Sequence, residues 1–451
     1  MTFIRTLVIL TIVAMAACGG GGGGGGSSLN AGNSFFGPAT LAGTFSYYRD
    51  GSQNNPVSYL YAKDIDGDGL DEVFMVAFET QPNTPAQYSP TGVRVFGWKA
   101  GVFQDLTAQW LPGGLDQVGG VGDVAFGDFD GDGRLDVFLS AYTDMDHPVQ
   151  AYALMNRGTS FDRVALGEKT WEHAVASADV NGDGYADVLV AGYSDFPQYM
   201  GSPTGLVPYQ GMVGSSGLTL GDFLGDGTVQ AIFVDADPQP DWSSGPYDTA
   251  LYRIGVDDVL QRVNLTRLGA LPRPRLAAAE DATHSSHDIR ARAVDFDSDG
   301  RLDVVVFSYF FLSGTQDPES AYRSEIQFLR NMGSGVFEDV TAAVRVGYDT
   351  TGYVGYTPVF RDVNGDGRLD LFTSQPDFFP SHRHKSSTLL LQQPDGTFKD
   401  TAKAELSGVI AGSGGQAVLA KGPAGKWFLV KEGAWQRDSF TRIWIHPVVG
   451  W

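Results

Sequence analysis

Short apolar runs recur along the chain, each just after an acidic turn. Val73 to Val76, Val137 to Leu139, Val188 to Val190 and Val304 to Phe307 are rich in Val and Phe and lack polar alternation. Runs this short, bounded by Gly and Asp, predict strands buried on both faces, because buried helices need longer segments. Another strand is predicted ahead of each run, as at Ser58 to Ala62 and Val124 to Phe126. Two more follow it, as at Gly92 to Trp98 and Val102 to Thr107, or Ile326 to Asn331 and Val336 to Val340. A unit of four strands that recurs in this way describes a propeller blade.

The acidic turn between the first two strands is the repeating element. It begins at Asp64 (DIDGDGLDE), Asp128 (DFDGDGRLD), Asp179 (DVNGDGYAD), Asp295 (DFDSDGRLD) and Asp362 (DVNGDGRLD), with a degenerate copy at Asp222 (DFLGDGTVQ). Subtracting successive starts gives intervals of 64, 51, 43, 73 and 67 residues, which suit blades better than independent domains. Three further strands are predicted at Gln416 to Ala420, Lys426 to Lys431 and Phe440 to His446, with no acidic turn between them. Their missing fourth partner is Thr40 to Tyr48, an unassigned strand ahead of the first blade. The expected fold is therefore all-β: a seven-bladed β-propeller of four-stranded antiparallel blades, with the ring closed by an N-terminal strand that also covers an exposed edge.

Oxygen side chains at positions 1, 3, 5 and 9 of such a turn can converge on one centre, with Gly at position 6 allowing the sharp bend. Hard oxygen donors in a flexible cage select calcium. The expected ligands are Asp64, Asp66, Asp68 and Glu72 in the first site, and Asp128, Asp130, Asp132 and Asp136 in the second. The third set is Asp179, Asn181, Asp183 and Asp187. The remaining two are Asp295, Asp297, Asp299 and Asp303, and Asp362, Asn364, Asp366 and Asp370. Residue 7 of each turn would add a backbone carbonyl. An EF-hand begins in the same way but needs Glu at position 12, where this chain has Met75, Leu139, Val190, Val306 and Thr373. In the degenerate copy Leu224 and Gln230 replace carboxylates, so no ion is expected there.

Charge and composition narrow the function. With 31 Lys and Arg against 53 Asp and Glu the net charge is −22, which excludes nucleic acid as an expected partner. Hydrophobic residues at 42% and aromatics at 12% exclude a mainly disordered chain. Residues 1–17 read as a secretory signal: Arg5, then an apolar run from Leu7 to Ala16 too short to span a bilayer. Met15-Ala16-Ala17-Cys18 resembles the lipobox of bacterial lipoproteins, which implies lipidation of Cys18, the only cysteine. Residues 18–34, with the Gly tract, would be a flexible tether, and residues 35–451 the propeller. The expected location is the bacterial envelope, on the outer membrane, with membrane contact only through the lipid.

The repeated DxDGDG-type turn, with NMGSGVFEDVT and QQPDGTFKDT downstream, resembles the FG-GAP or VCBS repeat family, related to the propeller head of integrin α chains. That resemblance implies calcium at the same turn positions and ligand binding on the opposite face. The loops predicted on that face carry Tyr142, His147, His173, Tyr193, Tyr199, Trp242, His284, His287, Phe378, His382 and His384. Aromatic rings among short polar groups suit a glycan or a protein partner. The sequence has no G-x-S-x-G elbow, HExxH, Walker loop or dinucleotide fingerprint, and no catalytic residue stands out. The expectation is a calcium-stabilised binding module for an envelope or extracellular protein or glycan. The alternative is a propeller-type carbohydrate-active enzyme such as a polysaccharide lyase, with His173, His287, Arg290 or Tyr353 as a conceivable base. A purely structural envelope component comes third.

Overall fold

Each apolar run forms the second strand of an antiparallel sheet, and the sheets are seven. The computed structural model describes residues 39–45, 56–79, 93–114, 118, 120–142, 149–170, 172–192, 197–211, 214–236, 248–273, 286–311, 322–346, 358–374, 387–400, 417–432 and 441–448. Blade 1 comprises Pro56–Lys63, Glu72–Glu79, Arg94–Lys99 and Val102–Asp105, hydrogen-bonded in chain order. Blades 2 to 6 repeat this order, with first strands Val124–Gly127, Glu172–Ala178, Gly217–Gly221, Ser286–Val294 and Val359–Arg361.

Blade 7 is built from both ends of the described chain. Its first three strands are Ala417–Lys421, Trp427–Glu432 and Thr441–Pro447, and its outer strand is Thr40–Phe45, paired antiparallel with the third. This is the expected N-terminal closure. Gly43 lets the closing strand approach blade 1, because a Cβ there would lie 3.0 Å from Phe96 Cε1. On the inner side of the seam, Asp71 N–H donates to Lys421 O at 2.8 Å and Lys421 N–H donates to Asp71 Oδ2 at 2.7 Å.

Two details depart from the simple plan. Blade 6 gains a fifth strand, Arg345–Val346, parallel to Phe398–Asp400. A single helical turn, Thr341–Val344, leads into it and tucks Val344 into the core between blades 5 and 6.

The core explains why the apolar runs do not alternate. It consists of seven clusters, one between each pair of neighbouring blades. Phe74 and Val76 pack towards blade 2, while Val73 and Met75 pack towards blade 7. Successive side chains of a strand point to opposite faces, and in a radial stack both faces are interior. The seven interfaces therefore form one continuous apolar ring around the axis.

Candidate functional site

The acidic turns all connect first strands to second strands, so they share one face of the ring. Their backbone is held by the carboxylate at position 1. Asp64 accepts from the N–H groups of Gly67 at 2.8 Å and Gly69 at 2.9 Å. Asp128, Asp179, Asp295 and Asp362 accept the same position-6 N–H from Gly133, Gly184, Gly300 and Gly367 at 2.8–2.9 Å. Position 6 is left-handed throughout, with φ from 80° at Gly227 to 94° at Gly184. Position 4 is left-handed too, and there Ser298 at φ 61° is the one residue that is not Gly.

Position 9 is buried and clamps two elements together. Asp136 accepts from Phe129 N–H at 2.9 Å within its turn and from Asn156 N–H at 2.7 Å on the third strand. Asp187, Asp303 and Asp370 repeat this with Val180 and Gly201, Phe296 and Asn331, and Val363 and Gln392. Burial pushes Asp136, Asp187, Asp303 and Asp370 up to about 6, and Glu72 up to about 8, with neighbouring carboxylates adding to the shift.

Three turns already gather carboxylates closely enough to hold a metal ion, with donor atoms within 4.8 Å of one another. These are Asp64, Asp66 and Glu72; Asp128, Asp130 and Asp136; and Asp295, Asp297 and Asp299. Other predicted ligands are engaged differently. Asn181 Nδ2 donates to Asp183 Oδ2 at 2.9 Å, and Asn364 Nδ2 to Asp366 Oδ2 at 2.8 Å. Arg134, Arg301 and Arg368 pair with Asp132, Asp299 and Asp366 at position 5. Arg157 lies 3.0 Å from Asp130, and Arg330 lies 2.7 Å from Asp297.

The degenerate turn has the same backbone without the same charge. Asp222 accepts from Gly225, Asp226 and Gly227 at 2.7, 3.1 and 2.9 Å. Gln230 Oε1 replaces the position-9 carboxylate, accepting from Phe223 and Leu224 N–H at 2.8 and 3.1 Å. Among the described residues no metal-binding group of carboxylates forms there, nor in the turns at 179–187 and 362–370.

Sequence reasoning missed the residues that join one blade's turn to the next blade. Asn331 Nδ2 donates to Phe223 O at 2.9 Å in blade 4 and to Leu302 O at 3.0 Å, while its Oδ1 accepts from Gly333. Asn156 Nδ2 does the same to Ile65 O at 2.8 Å and Leu135 O at 3.1 Å, and Gln392 Nε2 reaches Phe296 O at 2.6 Å. The visible signal was the Asn or Gln opening the NRG, NMG and QQP turns.

These acidic turns, with their interblade amides, match known repeats. A model of the FG-GAP-like repeat matches residues 64–139 and 295–373, and one of the FG-GAP repeat matches residues 173–209. The chain carries FG-GAP repeats. No curated protein matches this FG-GAP chain. Among solved structures, a protein from Lactobacillus plantarum is 12% identical, with 73% of this chain and 94% of that one covered and a TM-score of 0.31. The inulosucrase from Halalkalicoccus jeotgali bound to kestose is 10% identical, with 88% and 79% covered and a TM-score of 0.24. Both likenesses are too distant to bear on the activity of the FG-GAP propeller.

On the expected ligand face, the structure brings two of the predicted residues together. The rings of Tyr142 and His173 meet edge-on, 5.1 Å apart at 90°. His173 is not on a loop, as expected, but within the first strand of blade 3, half-buried. Burial, helped by Arg290, lowers it to about 3, so the imidazole is neutral. Tyr199 is a correction: it is fully buried in the third strand of blade 3, with its ring 5.1 Å from that of Phe138. His287 lies within the first strand of blade 5 and not ahead of it. His147, Tyr193, Trp242, His284, Phe378, His382 and His384 lie outside the described residues.

Tyr142 and His173 adjoin a polar cluster that the sequence did not reveal. Asp123 Oδ1 accepts from Tyr61 Oη at 2.8 Å and from Val124 N–H at 3.0 Å, and its Oδ2 accepts from Val175 N–H at 3.1 Å. Arg290 Nη2 lies 3.7 Å from Asp123 Oδ2, and its Nη1 donates to Ser216 O at 3.3 Å. Asp123 belongs to blade 2 and Arg290 to blade 5. Those blades are not neighbours in a ring of seven, so the pair spans the axis.

Proposed function

We propose that this propeller is calcium-stabilised and acts as a binding module for a protein or glycan on the bacterial envelope. Its carrier would be lipidated Cys18, and its binding face the one opposite the acidic turns. The observation that carries the calcium part is the contrast between turns. The degenerate turn folds with Leu224 and Gln230, so carboxylates at positions 3 and 9 are not needed for the bend. In three of the five intact turns, three carboxylates gather within 4.8 Å, a self-repulsive arrangement that a divalent cation would relieve. At free calcium ten times the dissociation constant, each site would add about 1.4 kcal/mol to stability.

The binding part is supported by the segregation of the turns to one face, which leaves the other to Tyr142, His173 and the loops around them. A second reading, as a carbohydrate-active enzyme, is favoured by the axial Tyr61, Asp123 and Arg290, which put an acid and a cation together. Against it, both oxygens of Asp123 are already occupied by protein donors, as befits a keystone rather than a general base.

The test is affinity capture from solubilised envelope with the detergent-solubilised chain, once in calcium and once in chelator. A defined protein or glycan retained in calcium, and lost when Tyr142 is changed to Ala in a folded variant, is the expected result. Turnover of a polysaccharide by the same preparation would transfer the proposal to the enzyme reading.

A further inference from the structure

Beside the pair of Asp123 and Arg290 stands a second arginine, Arg292, that has no ion-pair partner among the described residues. Arg292 stands two residues beyond Arg290 on the first strand of blade 5, so both project to the same side of that strand. On that side Arg290 reaches to within 3.7 Å of Asp123, so Arg292 faces the same axial cluster. Asp123 is committed to Tyr61, Val124, Val175 and Arg290. Arg292 itself makes one hydrogen bond, from Nη1 to Ala291 O at 3.0 Å, and has no carboxylate partner among the described residues. A guanidinium carries five N–H donors, so most of those of Arg292 are left to water or to a ligand.

We infer that Arg292, with Arg290 beside it, forms an axial binding site for a small oxyanion, a carboxylate or a sulfate. The planar guanidinium fork matches two oxygens of either group. The neighbours do not compete for it. His173 is neutral and Tyr61 spends its hydroxyl proton on Asp123. The remainder of the chain repels anions, since the net charge is −22. Saturable anion binding would therefore be a property of this site and not of the general surface. The inference is independent of whether the outer face binds a partner.

The experiment is a calorimetric titration of the calcium-loaded chain at fixed ionic strength, in a buffer of bulky organic ions. Sodium sulfate, sodium glucuronate and glucose serve as probes. One anion per chain should bind, and Arg292→Gln should weaken it at least tenfold, with Arg292→Lys between the two. Tighter binding of glucuronate than sulfate would identify the carboxylate of an acidic sugar as the source, and the reverse would identify a free inorganic anion. Glucose should give no saturable heat. If Arg292→Gln does not fold, bromide soaked into wild-type crystals should give an anomalous peak against the Arg292 guanidinium. Absence of saturable anion binding by the wild type, equal binding by the folded Gln variant, or bromide absent from the axis would overturn the inference.

Discussion

The turns at 128–136 and 222–230 have nearly the same backbone and different side chains. In both, the first Asp accepts the N–H of the Gly at position 6, from Gly133 at 2.8 Å or Gly227 at 2.9 Å. In both, the ninth side chain accepts the N–H at position 2, whether Asp136 from Phe129 or Gln230 from Phe223. One oxygen acceptor at each end is thus sufficient to build the turn. The additional charge at Asp130 and Asp136 contributes nothing to the bend that Leu224 and Gln230 fail to provide. Folding explains positions 1, 6 and 9 of the repeat, and the proposed cation would explain the excess carboxylate.

The largest expected effect comes from removing that cation. Chelation should lower the melting temperature by roughly 5–10 °C, if about five sites each contribute about 1.4 kcal/mol. The metal-free chain should also depend on pH in a definite direction. Position-9 carboxyls titrate near 6, and Glu72 near 8, against roughly 4 in the unfolded chain. The folded state then binds more protons than the unfolded one between those values, so stability falls as pH rises through them. Calorimetry in chelator should show a higher melt at pH 5 than at pH 7.5, and calcium should abolish or reverse that order.

Asn331→Ala comes next, because it removes hydrogen bonds to Phe223, Leu302 and Gly333 from a buried amide. A loss of about 2–4 kcal/mol in denaturant unfolding is expected, in calcium and in chelator alike. Insensitivity to calcium separates this interblade clamp from the metal ligands. Asp130→Ala should lose about 1–2 kcal/mol in calcium, whereas Asp226→Ala, at an exposed site paired with Arg253 at 3.4 Å, should lose clearly less. Equal losses would remove the distinction between the two turns. The smallest effect is a gain: Ser298→Gly relieves a left-handed Ser at φ 61° and should stabilise by up to about 1 kcal/mol.

Most of the ring was legible because its physics is local. Val73 to Val76 looked buried on both faces, and they are, between blades 7 and 2. The strand from Thr40 was recognised as a closing strand by elimination, and it pairs with Thr441–Pro447. Position 9 was legible only in part: its acidity suggested a ligand, while its clamp to Asn156, Asn331 or Gln392 needed the third strand in place. Tyr199 was misread because a Tyr after Asp and Pro looks like a loop residue, yet a three-residue strand draws it into the core. Asp123 gave no local signal at all, and Arg290 stood out only as one of four conceivable bases. They meet only when blades 2 and 5 face each other across a closed ring.

The most direct test of the calcium account is the number of ions bound, counted by calorimetric titration of wild type beside the double variant Leu224→Asp with Gln230→Asp. The account predicts about five sites in the wild type and one more in the variant, because the degenerate turn already has the backbone of the others. No binding by the wild type, together with a melt unchanged by chelator, would contradict it.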